Sequence, residues 1–285
     1  MATHDHNLFD DVSAILSRGA DRRQSMRWLL AGAASLHGCG GGSSSSAAAQ
    51  SGAAISAATP TTATATIASG ACAVIPEETG GPYPADGTNS AAGGVANVLI
   101  LAGIVRSDIR ASIAGATGVA QGVPLTITLK IVNVGASCAS AAGAAVYLWH
   151  CDRDGNYSLY STGITAENYL RGVQVADSDG YVTFTTVFPG CYAGRMPHLH
   201  FEVYPALARA SVASNRIKTS QFTFPATTLA EAYTATGYSA SVRNLANISL
   251  ATDNVFSDGA TLQTAAVTGS VTAGYSATLQ VGVSL

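Results

Sequence analysis

"VPLTITLKI", residues 123–131, places Val123, Leu125, Ile127, Leu129 and Ile131 on every second position. Side chains alternate across an extended strand, so this period of two predicts a strand with one buried face. The pattern recurs along the chain. Ala144–Cys151 predicts a second strand, stopped by the turn residues Asp154, Gly155 and Asn156. "VADSDGYVTFTTVFPG" (175–190) reads as strand, Asp-Gly turn, strand, and a stop at Pro189-Gly190. "HLHFEVY" (198–204), "SQFTF" (220–224) and "ATLQVGVSL" (277–285) add further strands, and only Thr228–Tyr233 suggests a helical turn. Many short strands with frequent turns predict an all-β chain, folded over 71–285 as a single β-sandwich.

The preceding residues read differently. "DRRQSMRWLLAGAASLHGC" (21–39) pairs Arg22 and Arg23 ahead of a short apolar stretch from Met26 to Leu36. That stretch is too short to span a bilayer but fits the apolar region of a secretory signal. The arginine pair points to the twin-arginine export route. Leu36-His37-Gly38-Cys39 resembles a bacterial lipoprotein cleavage box, making Cys39 the expected lipid anchor and 1–39 the leader. Residues 40–70 are rich in Gly, Ser, Ala and Thr, with almost no charge. Such a segment cannot bury enough surface to fold, and is expected to act as a tether. The expected location is therefore periplasmic or membrane-anchored.

Only 11% of the chain is charged and the net charge is −3, so no basic surface points to nucleic acid. Five cysteines occur, at 39, 72, 138, 151 and 191. With Cys39 lipidated, an even four remain, which suits disulfides in an oxidising compartment. Their pairing is left open among three arrangements. None forms a CxxC pair, which argues against a structural zinc site.

Chemistry concentrates in "CYAGRMPHLHFEVY" (191–204). His198 and His200 are two residues apart on a strand and project to one face, where both imidazoles can reach one ion. Leu199, Phe201 and Val203 then form the opposite, apolar face. Unpartnered buried imidazoles would be costly, which favours a ligand role. No histidine follows His200, so a cupin-like site is excluded, and outside the leader only His150 remains. The missing ligands must be of another type. Tyr192, just after the Pro-Gly turn, and Tyr157, after the Asp-Gly-Asn turn, are the candidates. Two imidazoles with two phenolate oxygens suit ferric iron far better than zinc or copper(I).

An ordered series of motifs carries a family resemblance. It comprises "PEETGGPY" (76–83), "IVRSDIR" (104–110), "GAAVYLWHCDRDGNYS" (143–158), "LRGVQVADSDGYVTFTTVFPGCYAGRMPHLHF" (170–201) and "TSQFTF" (219–224). Over roughly 72–225 the chain resembles the intradiol ring-cleaving catechol dioxygenases, in particular the protocatechuate 3,4-dioxygenase-like branch. The resemblance implies a β-sandwich holding non-haem Fe(III) through two Tyr and two His. Tyr157 would be the equatorial tyrosinate and Tyr192 the axial one that substrate displaces. His198 would be the equatorial histidine and His200 the axial one. Arg195 matches the arginine that faces the substrate ring, and Gln221 the glutamine beside it. Gly81, Pro82 and Tyr83 match a loop that lines the pocket. The implied reaction takes a small aromatic ortho-diol and O2 to a cis,cis-muconate-type diacid, without an organic cofactor.

The chain also departs from that family. The Tyr192–His198 loop is shorter than in the aromatic-degrading members, and Cys191 stands where Trp is frequent. The long helical dimerisation region of the catechol 1,2-type enzymes is absent, which leaves homo-oligomer formation open. Three rival readings stay in view: Arg195 as an ion-pair residue only, a non-catalytic binding module with an idle metal site, and a zinc or copper enzyme built on the histidine pair.

Overall fold

The computed structural model describes residues 72–91 and 93–285. The Arg22–Arg23 pair, Cys39 and the 40–70 segment lie outside them. Among the described residues no helix is long and apolar enough to cross a membrane.

The opening stretch forms the central strand of the first sheet. β1 (Asp86–Ala91) and β2 (Gly94–Asn97) make a separate hairpin, followed by β3 (Pro124–Asn133). In β3, Leu125, Ile127, Leu129 and Ile131 are buried, while Thr126, Thr128 and Lys130 are half-exposed. β4 (Ala139–Ser140) and β7 (Tyr181–Val187) pair antiparallel along one edge of β3. On the other edge β11 (Gly274–Val283) runs parallel to it, from Tyr275 beside Leu125 to Val283 beside Asn133. β10 (Ala266–Ser270) closes that side.

The second sheet contains β6 (Arg171–Val175), β5 (Ala145–Trp149), β8 (Leu199–Tyr204) and β9 (Lys218–Phe222), in that order and all antiparallel. Its inner side chains, Val146, Leu148, Leu199, Phe201, Val203 and Phe222, pack with Ile127, Leu129, Val182 and Phe184 of the first sheet in one core. Each such fully buried aliphatic side chain contributes about 2 kcal/mol. This is the β-sandwich that the alternation predicts.

The outer face of the second sheet is buried as well. Every residue of β5 and β8 is buried. A second apolar cluster covers that face, joining Tyr147, Trp149 and Tyr204 to Ala85, Val98, Ile104 and Tyr157 from the flanking loops. Polar side chains directed outward from β8 and β9 are therefore shielded from water.

Three expectations change. The helical turn at Thr228–Tyr233 becomes α1 (Ala226–Ala232), and a second helix, α2 (Ser239–Leu245), follows it. α2 has two turns and buries only Ser241, so its sequence carries no apolar period. The four cysteines form one disulfide rather than two: Cys72 bonds Cys138, while Cys151 and Cys191 are free thiols. Cys191 faces the inter-sheet core and Cys151 the outer cluster, so the two belong to separate packing layers.

The Cys72–Cys138 bond closes a 66-residue separation. In the chain-entropy account it destabilises the unfolded state by about 4 kcal/mol. Replacing both cysteines by alanine is expected to lower the unfolding free energy by about that amount in urea titration, with no change in the native circular dichroism spectrum.

Candidate metal centre

The register of β8 sets the floor of the site. His200 lies beside Trp149 of β5 on one flank and Gln221 of β9 on the other. The Trp149 ring stacks on the His200 imidazole at 4.9 Å and 6° between planes, which fixes the imidazole's tilt. His198, one residue before the strand, faces the same way, and the two Nε2 atoms are 3.0 Å apart.

His198 Nδ1 lies 2.6 Å from the Met196 carbonyl oxygen. A carbonyl only accepts, so Nδ1 carries the proton and Nε2 presents a bare lone pair. Two groups crowd that lone pair, His200 Nε2 at 3.0 Å and Tyr192 Oη at 3.2 Å. Tyr157 completes the cluster, with its ring 6.0 Å from that of Tyr192 and 6.3 Å from that of His200. Its buried hydroxyl meets no partner at hydrogen-bonding geometry. The structure thus brings together all four residues expected from the sequence to bind metal.

Local turns deliver the two tyrosines. Asp152 Oδ1 accepts from the backbone N–H groups of Asp154 and Asn156, winding the turn that ends at Tyr157. Gly155 adopts φ +87°, and a Cβ there would lie 3.1 Å from Tyr192 Cβ. The residue thus supplies both the turn conformation and the space. Behind Tyr157, the buried Arg171 guanidinium donates to Ser158 Oγ and O, to the Pro84 carbonyl and to Tyr147 Oη, at 3.0–3.1 Å. One side chain therefore ties the Tyr157 loop to the strand leading from Tyr83. α2 holds the Tyr192 loop: Ser241 Oγ accepts from Cys191 N–H at 2.9 Å, and Asn244 donates to the Cys191 carbonyl at 2.7 Å.

Arg195 is both site-facing and ion-paired. Its Nε donates to Asp253 Oδ2 at 3.0 Å and its Nη2 to Gln221 Oε1 at 2.7 Å. Gln221 in turn donates to the Thr79 carbonyl at 2.8 Å. Asp253 is fully buried and accepts from the N–H groups of Met196, Val255 and Phe256 as well. The 79–83 segment straps over the cluster. Gly81, at φ +68°, passes so close that a Cβ would lie 3.3 Å from His200 Cε1. Tyr83 packs on Tyr157 at 4.9 Å, and the Pro82 carbonyl accepts from Asn89. Asp253, Arg171 and Trp149 were not singled out in the sequence. Asp253 lies 58 residues from Arg195, in a segment without a recognisable motif.

Electrostatics set the charge states. Burial pushes both imidazoles well below the usual histidine range, reinforced at His198 by Arg195 and at His200 by His198. Both are neutral at physiological pH. Burial also raises Tyr157 and Tyr192 above the usual phenol range, so ionising either requires a cation at the cluster. Among the described residues no group of three or more His, Cys, Asp or Glu could hold a metal. The assembled donors are two neutral nitrogens and two phenol oxygens, one of them orphaned, and that set fits a hard ferric ion. Further along the same face, burial raises Glu202 to about 8. Tyr204 Oη donates to it at 2.6 Å.

Residues 107–217 match the family model Dioxygenase_C, described as "Dioxygenase". The match contains Tyr157, Tyr192, Arg195, His198 and His200 but not the strap, Gln221 or Asp253. An intradiol ring-cleavage dioxygenase from Tetranychus urticae superposes with a TM-score of 0.57 at 24% identity, covering 75% of this chain and 95% of that one. A second dioxygenase crystal structure gives 0.56 at 23%, covering 75% and 95%. The dioxygenase domain of a dioxygenase–carbohydrate-binding fusion from Streptomyces sp. SirexAA-E gives 0.46 at 21%, covering 75% and 99%.

Asp253→Asn turns an acceptor into a donor facing Arg195 and the Met196 amide. It is expected to cost about 3–5 kcal/mol, the scale of breaking a buried ion pair, read from the denaturant midpoint. Glu202 has a folded value above its ordinary 4.5, so the folded chain holds that proton more tightly than the unfolded one. Its stabilising contribution is full at acid pH and is lost as pH rises through about 8. Glu202→Gln stays neutral throughout, so the Tm of the original chain should fall relative to this variant as buffers move from acid to alkaline.

Proposed function

We propose that the chain is an intradiol-type dioxygenase that cleaves a catechol-type ortho-diol with O2, a reading supported by the dioxygenase-model match over residues 107–217 and by the fold. The product is a cis,cis-muconate-type dicarboxylic acid that retains both oxygen atoms. The observation that carries this reading is the convergence of His198, His200, Tyr192 and the orphaned Tyr157 hydroxyl.

Ferric iron held by these four would supply a Lewis acid that binds the diol oxygens and makes the ring electron-rich toward O2. The chain's own residues do the rest. His198, with its proton fixed on Nδ1 by the Met196 carbonyl, keeps Nε2 free to donate. Trp149 and the close approach of Gly81 hold the His200 ring in place. Tyr192, on the loop side with its Oη 3.2 Å from His198 Nε2, would hold the metal as a phenolate, and that oxygen could take a proton from the diol. Arg195, positioned by Asp253 and Gln221, sets a fixed positive charge beside the negative charge that develops on the ring. The strap over the cluster limits water.

A binding module with an idle metal site accounts less well for Arg195, which is held on two sides beside the metal cluster. The zinc or copper reading finds no third His, Cys, Asp or Glu grouped with the histidine pair among the described residues. Export by the twin-arginine route and lipidation at Cys39 complete the proposal. The Cys72–Cys138 disulfide supports an oxidising destination.

Iron-reconstituted protein is expected to be coloured by phenolate-to-iron charge transfer, and to take up O2 with catechols while releasing muconates identified by mass. A colourless protein that is inactive on a catechol panel would overturn the reading. Arg195→Ala should lower kcat about 100-fold or more, the scale of losing one preorganised charge, while Tyr192→Phe shifts or bleaches the band.

A further inference from the structure

Two segments meet over the backbone of Gln221. From the strap, Glu78 donates its N–H to the Thr219 carbonyl at 2.9 Å. From the C-terminal side, Gln263 donates to the Gln221 carbonyl at 3.0 Å and to Glu78 Oε1 at 3.3 Å. Among the described residues that long contact is the one hydrogen bond of the half-buried Glu78 carboxyl group. Its remaining lone pairs are open to another donor.

The charges around this seam do not balance. Arg195 is the cation acting on Glu78, and Asp253 and Asp258 are the anions. Asp253 pairs with Arg195 at 3.0 Å. Asp258 is exposed and has no ion-pair partner at contact distance among the described residues. Glu77, the neighbouring strap acid, is held by Lys218 at 3.0 Å. Among the described residues the Glu78 carboxyl group therefore has no cation at ion-pair distance.

Resting on the dioxygenase reading, the geometry points to Glu78 as a charge filter for the ring substituent. It admits catechols bearing a neutral or cationic, hydrogen-bond-donating group and rejects those bearing a ring carboxylate. Gln263 ties the Glu78 carboxyl group to the backbone of Gln221, whose side chain holds Arg195, so a substituent directed past Arg195 would approach oxygens that accept O–H or N–H but repel a second anion. Burial raises Glu78 to about 7, so its negative charge grows as pH rises through neutrality. Discrimination against the carboxylated ring grows with it.

The test is anaerobic binding of three catechols, carrying carboxyl, methyl or aminoethyl at ring position 4, to the iron-loaded protein and to its Glu78→Gln variant. Oxygen uptake is measured in parallel. In the original chain the carboxylated diol should bind about tenfold more weakly than the methyl one, the scale of one like-charge pair near a surface. Glu78→Gln should close that gap and reduce the advantage of the aminoethyl diol. The gap in the original chain should also widen from pH 6 to pH 8. Kd ratios that Glu78→Gln leaves unchanged, with oxygen uptake intact, overturn the filter and spare the dioxygenase reading. The expected ratios with no oxygen uptake support the filter and overturn ring cleavage. Binding of none of the three overturns both.

Discussion

The site depends on the pleat of one strand. Leu199, Phe201 and Val203 are held in the inter-sheet core, each fully buried. A one-residue slip of β8 would exchange that face for the histidines, losing about 2 kcal/mol for each apolar side chain turned outward. The hydrophobic effect thereby fixes where His200 points. The same register sets Trp149 and Gln221 on either side of it, so the ring's stacking partner and the arginine's positioning partner follow from a single pairing choice.

That choice creates polar side chains on a face that cannot be left wet. The flanking loops close over it, bringing Tyr157 on one side and the strap on the other. Arg171 makes this cover cooperative, because its guanidinium holds Ser158 and Pro84 at once. The remaining wall comes from far along the chain. α2 and Asp253 pin the loop that carries Tyr192 and Arg195, so the region after residue 225 buttresses the site as well as completing the sandwich.

How much of this the sequence disclosed follows from the range of each interaction. Alternation is local, so β3, β8 and the shared face of His198 and His200 were legible from residues alone. The two tyrosines were not: their turns were readable, but their convergence on the histidines entered through the family resemblance. Asp253 was hidden because its partners lie 57 and 58 residues away. β5 hid its depth, since burial on both faces erases the polar half of the alternation. The cysteine count misled, because pairing depends on which layer each thiol faces and parity carries no such information.

The cluster's hydrogen bonding is incomplete as it stands. One lone pair on His198 is approached by two groups, and the Tyr157 hydroxyl has none at bonding geometry. Buried polar atoms in that condition cost about 1–3 kcal/mol each. One lone pair accepts one donor well, so the two groups at His198 Nε2 compete for it, while the Tyr157 ring is packed against Tyr83. A cation shared by all four would replace the competition with bonds and would offset the burial that keeps both phenols protonated. The packing that holds these donors together thus stores a local deficit, and the same deficit is what makes the cluster receptive to a hard metal ion.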